Sequence, residues 1–282
     1  MKPAPFAYKK ARTLDEAVAL LCEHKDARLL AGGQSLIATL NMRLSAPSVL
    51  IDINGINGSN GLGGIAETNG AVEIGALVRH VQAERSDVIA RLAPLIARAM
   101  PHIGHAAIRN RGTLGGSIAF ADPAAELPAC LMALDGEVEA TGPKGKRTIR
   151  AADFFKGLFE TALGPQEILT AIRIPAATKD TRVGFAELAR RHGDYAIVGL
   201  AASARGDGKG LKDVRLSFFG AGDTPSRARK AETALESGDV DAAVAALDLQ
   251  PHDDVQATGA VKKHLAGVLL RRVAKQLMEP RP

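Results

Sequence analysis

Ala27-Arg28-Leu29-Leu30 runs into Ala31-Gly32-Gly33-Gln34-Ser35-Leu36, and the reading of this stretch decides the fold. The first four residues suit a short strand. The Gly-Gly-x-Ser run after them makes a tight turn in which several backbone N–H groups face one side. Glycine has no Cβ, so a ligand can come close to the main chain. Consecutive N–H groups in such a turn form a nest for anions, phosphate above all. A second run of this kind, Thr113-Leu114-Gly115-Gly116-Ser117-Ile118, lies further along the chain, followed by Ala121-Asp122-Pro123 and Glu126. Those carboxylates suit ribose or ribityl hydroxyls. Loops and acids together point to an extended dinucleotide lying between the two turns. Each loop alone also fits an ordinary turn, where glycine is the default residue.

Other glycine-rich stretches do not explain the pair. Gly142-Pro143-Lys144-Gly145-Lys146-Arg147 lacks phosphate-loop spacing and has Arg147 where the magnesium-binding hydroxyl belongs. It reads as a polar hairpin between 136–140 and 147–150. The run from Gly61 to Ala66 fits a Rossmann fingerprint formally, but Glu67-Thr68-Asn69-Gly70 after it is turn sequence. That fingerprint needs a helix to follow.

Working outward, Thr13 and Glu16 match a capping box, and Ala17, Leu20 and Leu21 give the helix after it an apolar face. A second helix is expected from Ser35, carrying Ile37, Leu40 and Leu44 and stopped near Pro47. Val49 to Ile53 reads as a buried strand. Together these make a small parallel β-α-β unit with its loop at a strand end, where α/β folds bind ligands. From residue 58 to 175 the pattern becomes helical at 77–100, then short strands with polar turns, ending at Ile168 to Ile174. Beyond Ala176, three antiparallel strands are expected at 183–185, 196–204 and 214–220. Helices follow at 225–236, 239–247 and 258–278. The expected fold class is α+β, divided into residues 1–175 (with parts 1–57 and 58–175) and a C-terminal α+β domain, 176–282.

Composition narrows the function. A chain of 282 residues, 46% hydrophobic and 24% charged, suits a soluble two-domain protein. No apolar run approaches the length of a transmembrane helix, and Met1-Lys2-Pro3-Ala4-Pro5-Phe6 lacks a signal core, so the cytoplasm is the expected compartment. Net charge is +5, with no tryptophan and two tyrosines, so the stacking platforms of nucleic-acid binders are missing. Cys22 and Cys130, without a Cys-x-x-Cys, exclude a disulfide framework and read as core residues.

The side chains show no Ser-His-Asp set, metal-ligand cluster or close carboxylate pair. His102 and His105 suit loop or helix-end hydrogen bonds. Arg109 and Arg111 suit either a solvated surface or support of the second loop. Tyr195, in Gly193-Asp194-Tyr195-Ala196, is an aromatic at a domain boundary and fits a core position.

At this point the residues resemble a known family. Ala-Gly-Gly-Gln-Ser-Leu at 31–36, Met42-Arg43-Leu44, Ile74-Gly75-Ala76, the block from His102 to Ser117 and Ala121 to Pro128 are similar to the FAD-binding medium subunit of the molybdenum hydroxylases. Weaker matches are Glu167-Ile168-Leu169, Arg190 to Ala196 and Val261 to Arg272. Gln34, Ala38 and Phe120 depart from residues common in that family, but no loop glycine or downstream acid is lost. The resemblance implies an oxidoreductase flavoprotein that binds FAD through Ala31, Gly32, Gly33, Gln34, Ser35, Leu36, Thr113, Gly115, Gly116 and Ser117. It also implies Asp122 and Glu126 at the ribityl and adenosine hydroxyls, Tyr195 against the isoalloxazine ring, and Ile103, Ile108 and Leu169 nearby. It implies partners: a small subunit with two [2Fe-2S] clusters and a large subunit with the molybdenum cofactor, assembled as a dimer of heterotrimers. Two cysteines cannot supply the ligands of a [2Fe-2S] cluster here. A self-contained FAD oxidoreductase and a non-catalytic scaffold remain as alternatives.

Overall fold

The computed structural model describes residues 1–56, 62–206, 208 and 210–279. The division expected at 57–58 and Gly61 of the discounted fingerprint lie outside the described residues. The chain opens with β1 (Ala7–Lys10), α1 (Leu14–Glu23), β2 (Arg28–Leu30), α2 (Leu36–Asn41) and β3 (Val49–Asp52). Strand β3 lies between β1 and β2 and is parallel to both. This is the expected parallel unit, with β1 added from the polar sequence Ala-Tyr-Lys-Lys. Thr13 Oγ1 accepts from Glu16 N at 3.1 Å and so caps α1. The Glu16 carboxylate does not close the box on Thr13 but accepts from Arg12 N at 2.8 Å. Helix α1 buries Ala17, Val18 and Leu21 in one core with Val49 and Ile51. Helix α2 differs from expectation: Leu40 is buried, whereas Ile37 and Leu44 are 40% and 73% exposed. The helix is too short to turn all three toward the sheet.

The middle of the chain builds β4 (Ile65–Thr68), β5 (Ala71–Gly75), α3 (His80–Glu84), α4 (Asp87–Leu92), α5 (Pro94–Ala99), α6 (Ala106–Arg109), α7 (Leu114–Phe120) and α8 (Glu126–Ala133). It continues with β6 (Glu137–Gly142), β7 (Gly145–Arg150), α9 (Ala151–Phe154), β8 (Phe155–Gly157), β9 (Glu160–Thr161) and β10 (Ile168–Pro175). The helical stretch at 77–100 is broken into three pieces, by a new cap at Ser86 and by Pro94 at the start of α5. Five strands form one antiparallel sheet in the order β4-β5-β10-β6-β7. The hairpin read from the polar turn at Gly142 to Gly145 is β6–β7.

The last part holds β11 (Thr181–Leu188), β12 (Val198–Gly206), β13 (Leu211–Phe219), β14 (Ser226–Arg227), α10 (Arg229–Glu236), α11 (Val240–Ala245) and α12 (Gly259–Met278). The three expected strands are antiparallel neighbours, with the two-residue β14 at the edge. Alternation along the strands sends side chains to two cores. Phe185, Ala201 and Phe219 join the core of the middle part. Leu200, Ala202 and Phe218 join a second core with α10 and α12. Ser203 Oγ donates to Ala133 O at 2.5 Å and ties β12 to the end of α8. The buried Lys262 Nζ donates to Gly220 O at 3.1 Å and to Asp254 at 2.6 Å. Gly220 N in turn donates to Pro123 O at 2.7 Å, beside Asp122. The C-terminal sheet therefore braces the segment that follows the second glycine loop.

Gly199 sits where this bracing is tightest, because a Cβ there would lie 2.0 Å from Phe219 Cζ. Overpacking of a core costs about 1–3 kcal/mol. Gly199→Ala is expected to lower the unfolding free energy in denaturant by that amount. Gly64→Ala, where a Cβ meets nothing within 4 Å, should leave it unchanged.

Candidate functional site

The end of β2 delivers the first loop. Ile53 N donates to Leu30 O at 3.1 Å, and Asn54 Nδ2 donates to Leu30 O at 3.2 Å and Ala31 O at 2.8 Å. Gly33 has φ +74, a left-handed conformation that glycine adopts without strain. Gln34 is exposed, and its side chain folds back to donate to Gly32 O at 3.3 Å. Ser35 precedes α2 in a helical conformation and gives no side-chain cap. Among the described residues, the N–H groups of Gly32, Gly33, Gln34 and Ser35 find no acceptor. Free helix-end donors are what binds an anion.

The second loop is built differently. Thr113 caps α7, its Oγ1 accepting from Gly116 N at 3.1 Å. Gly115 N donates to Ala76 O at 3.0 Å and Ser117 N to Thr113 O at 3.0 Å. Its amides are thus engaged within the chain, so this loop offers a closely packed surface and the Ser117 hydroxyl in place of a nest. Glycine is required at Gly115, whose Cβ would lie 2.5 Å from that of Ala76. Gly112 leaves room for the buried His80 ring, which a Cβ would approach to 3.0 Å. Burial above all pulls the His80 pKa down to about 4, with Arg109 and Arg79 adding to it, so the ring is neutral at pH 7.

The two loops touch. A Cβ on Gly32 would lie 2.4 Å from Arg111 O and 2.8 Å from Gly112 Cα. Beyond α7, Ala121 takes a left-handed conformation and turns the chain sharply into Asp122, whose Oδ1 accepts from Ala124 N at 2.9 Å. Burial raises the Asp122 pKa. Glu126, 7% exposed at the start of α8, is raised to about 8 by burial first, then by the neighbouring Glu187 and Asp122. The Tyr195 phenol is raised by partial burial, then by Asp122 and Glu126, although 56% of the residue is exposed. The Tyr195 phenol thus lies within reach of the Asp122 and Glu126 charges.

Ile103 and Ile108 border it. A Cβ on Gly104 would meet Ile108 at 3.1 Å, and one on Gly193 would meet Gly104 O at 2.8 Å, so the Tyr195 segment lies on the Ile103–Ile108 segment. Leu169 is buried in the core with Ile103 and Ile118. Sequence reading missed Asn54, Arg79 and Glu187, while His102, expected to make a loop or helix-end hydrogen bond, faces Glu187. Glu187, with a side chain 5% exposed, holds Oε1 3.4 Å from His102 Nδ1, while its Oε2 is buried without a partner. Glu187 lies in β11 beyond the end of the strand expected at 183–185, so no sequence signal marked it.

The donor set fits a dinucleotide: free amides suit a pyrophosphate, and desolvated carboxylates suit hydroxyl donors. The family described as FAD binding domain in molybdopterin dehydrogenase matches residues 4–177. The CO dehydrogenase flavoprotein C-terminal domain matches residues 184–277. The chain belongs to the FAD-binding medium subunits of the molybdenum hydroxylases. It is 37% identical to the 6-hydroxypseudooxynicotine dehydrogenase complex subunit alpha of Paenarthrobacter nicotinovorans, over 100% of this chain and 98% of that one. It is 34% identical to the carbon monoxide dehydrogenase medium chain of Afipia carboxidovorans, over 98% of both chains. Among solved structures, reconstituted CO dehydrogenase from Oligotropha carboxidovorans matches with a TM-score of 0.95 at 33% identity, over 100% of both chains. The chain is thus an oxidoreductase flavoprotein with FAD as its cofactor.

The Glu126 shift gives this flavoprotein a pH dependence. Its folded pKa is raised from 4.5 to about 8, so its contribution to stability is full below 4.5 and is lost as pH rises through 8. One proton changes stability by up to about 1.4 kcal/mol per pH unit. Flavin-free protein should therefore lose stability between pH 5 and 8 more steeply than Glu126→Gln does, as read by urea unfolding. Equal slopes would mean that Glu126 is not the buried titrating group.

Proposed function

We infer that this chain is the electron-exit subunit of a cytoplasmic molybdenum hydroxylase and binds FAD between its two glycine loops. The observation that carries the reading is the row of amides at Gly32 to Ser35 that have no acceptor among the described residues, in contact with the second loop through Gly32. Those amides, with the conformation of Gly33, receive the pyrophosphate. Ala31 and Leu36 frame that turn, and Thr113, Gly115, Gly116 and Ser117 wall it. Asp122 and Glu126 accept from the polyol and ribose hydroxyls. Tyr195, Ile103 and Ile108 border the ring, with Leu169 in the core beneath.

The chemistry that FAD supplies when bound is electron transfer, from [2Fe-2S] clusters in a small partner subunit to an external acceptor. Substrate chemistry belongs to a large partner subunit with the molybdenum cofactor, and the whole assembles as a dimer of heterotrimers. Medium-chain and complex-subunit relatives matched over nearly their full length support this assembly. We divide the chain into an FAD-binding domain, 1–175 with parts 1–57 and 58–175, and a C-terminal domain, 176–282. This chain's residues bind and orient the cofactor and keep water from part of it.

Two experiments test the reading. Gly33→Val forces a β-branched residue into the left-handed region, with its Cβ 3.1 Å from the Ile37 side chain. Flavin content should fall at least about tenfold, a loss near 1.4 kcal/mol, while far-UV circular dichroism stays native. Gln34→Ala keeps its backbone N–H and should retain flavin. Full occupancy in Gly33→Val would remove the first loop from the pyrophosphate site. Separately, Tyr195→Ala should shift the flavin absorption bands and midpoint potential with little change in apoprotein melting, because much of the ring is exposed. An unaltered spectrum and potential would take Tyr195 away from the ring.

A further inference from the structure

Between the two glycine loops runs a chain of side-chain hydrogen bonds that neither loop motif contains. Arg79 lies just before α3, its own N donating to Gln82 Oε1 at 2.7 Å. It pairs across a β-bridge with Thr113, and His80 N donates to Gly112 O at 3.0 Å. Arg79 is thereby fixed against the backbone of the second loop. Its guanidinium divides its donors. Nη1 donates to Arg111 O, and Nη2 donates to Asn54 Oδ1 at 2.5 Å. Asn54 turns its amide the other way, donating from Nδ2 to Ala31 O at 2.8 Å in the first loop. Asp52 anchors Asn54, its Oδ1 accepting from Asn54 N at 2.8 Å and Nδ2 at 2.7 Å, while its Oδ2 accepts from Tyr8 OH at 2.5 Å.

We propose that Arg79 and Asn54 are positioning residues: they form a strut that sets the spacing of the two glycine loops and so makes the FAD pyrophosphate site. The proposal rests on the reading that FAD binds between those loops. Three features separate a strut from general cohesion. Toward the loops the strut bonds to carbonyls, at Ala31 and Arg111 with Leu30 O beside them at the end of β2, and it leaves the Gly32 to Ser35 amides free. Arg111 O is also the atom that a Gly32 Cβ would strike at 2.4 Å, so the strut ends on the surface where the loops meet. And the bridge needs a planar fork. One guanidinium reaches two acceptors in different directions, which a lysine ammonium, a single point donor, does not reproduce. Charge-assisted bonds of this kind are stronger and more directional than neutral ones.

The test is a double-mutant cycle on FAD affinity, using the full chain stripped of flavin and titrated with FAD by flavin fluorescence. The variants are Arg79→Lys, Asn54→Ala and the pair together, with apoprotein melting followed in parallel. Each single variant should weaken FAD at least about tenfold. The double variant should be no weaker than the worse single, because either change breaks the same strut. Apoprotein melting should move little. Arg79→Lys with wild-type affinity would overturn the strut and leave Arg79 as no more than a positive charge near the phosphates. Independent, additive losses would also overturn it, as would losses matched by equal drops in apoprotein melting, which is the behaviour of ordinary structural bonds. Gly33→Val keeps the two readings apart. If it retains flavin, the site itself is misplaced. If it loses flavin while the strut variants bind normally, the site stands and the strut fails.

Discussion

The approach of Gly32 to Arg111 O is the constraint around which the rest is arranged. At 2.4 Å from a would-be Cβ, no other residue fits without moving one loop away from the other. The parallel strands deliver the first loop to this point from the N-terminal side. Arg79 and His80, just after β5, hold the second loop there by backbone bonds. The two helices that follow the loops then take opposite courses. Helix α7 has its N-terminus capped by Thr113, so its first amides are satisfied within the chain. Helix α2 has no side-chain cap, and the amides leading into it are open. An N-cap contributes about 1 kcal/mol to a helix. Its absence at one loop and presence at the other leave the first loop's amides open and the second's engaged.

Local chemistry was readable from sequence where it depends on local chemistry. Strands β2 and β3, the β6–β7 hairpin and the antiparallel strands of the last part announce themselves by apolar runs bounded by turn residues. So do the glycine loops and the acids after them. What was not readable depends on partners far along the chain. Strand β1 is Ala-Tyr-Lys-Lys and has no apolar signature, because it is an edge strand that packs little of itself. Ile37 and Leu44 looked like a helix face but are exposed, because α2 is six residues long and only Leu40 turns inward. The second loop looked like the first because the glycines match. The difference lies in Ala76 O and the Thr113 hydroxyl, which take its donors, and pairing of that sort is a tertiary fact. Asn54 and Arg79 carried no motif at all.

The seam with the last part of the chain shows the same logic in reverse. Glu126 and Asp122 come from the middle part, Tyr195 and Glu187 from the C-terminal part, and they meet where Gly220 donates to Pro123 O. Among the described residues no lysine or arginine pairs with Glu126, and its charged neighbours Glu187 and Asp122 are acids, so burial and like charge both favour its protonated form. Burying carboxyl groups without cations costs stability unless hydrogen bonds satisfy them. A fold selected for stability alone would have paired them.

Taken together, the molecule holds two unsatisfied sets of opposite polarity. Among the described residues, the first loop holds donors without acceptors, and at the seam Glu187 Oε2 is a buried acceptor without a donor. On the reading proposed above, a molecule carrying a pyrophosphate in line with a run of hydroxyls satisfies both sets at once. Whatever fills only one set leaves the cost of the other standing, so affinity for the whole exceeds that for either part by more than contact area. The same linkage runs toward the fold, since a ligand that binds only the native state stabilises it in proportion to its affinity. The loops must therefore be held at one spacing before the cofactor arrives, because the two sets reward a single molecule only when their separation matches its length.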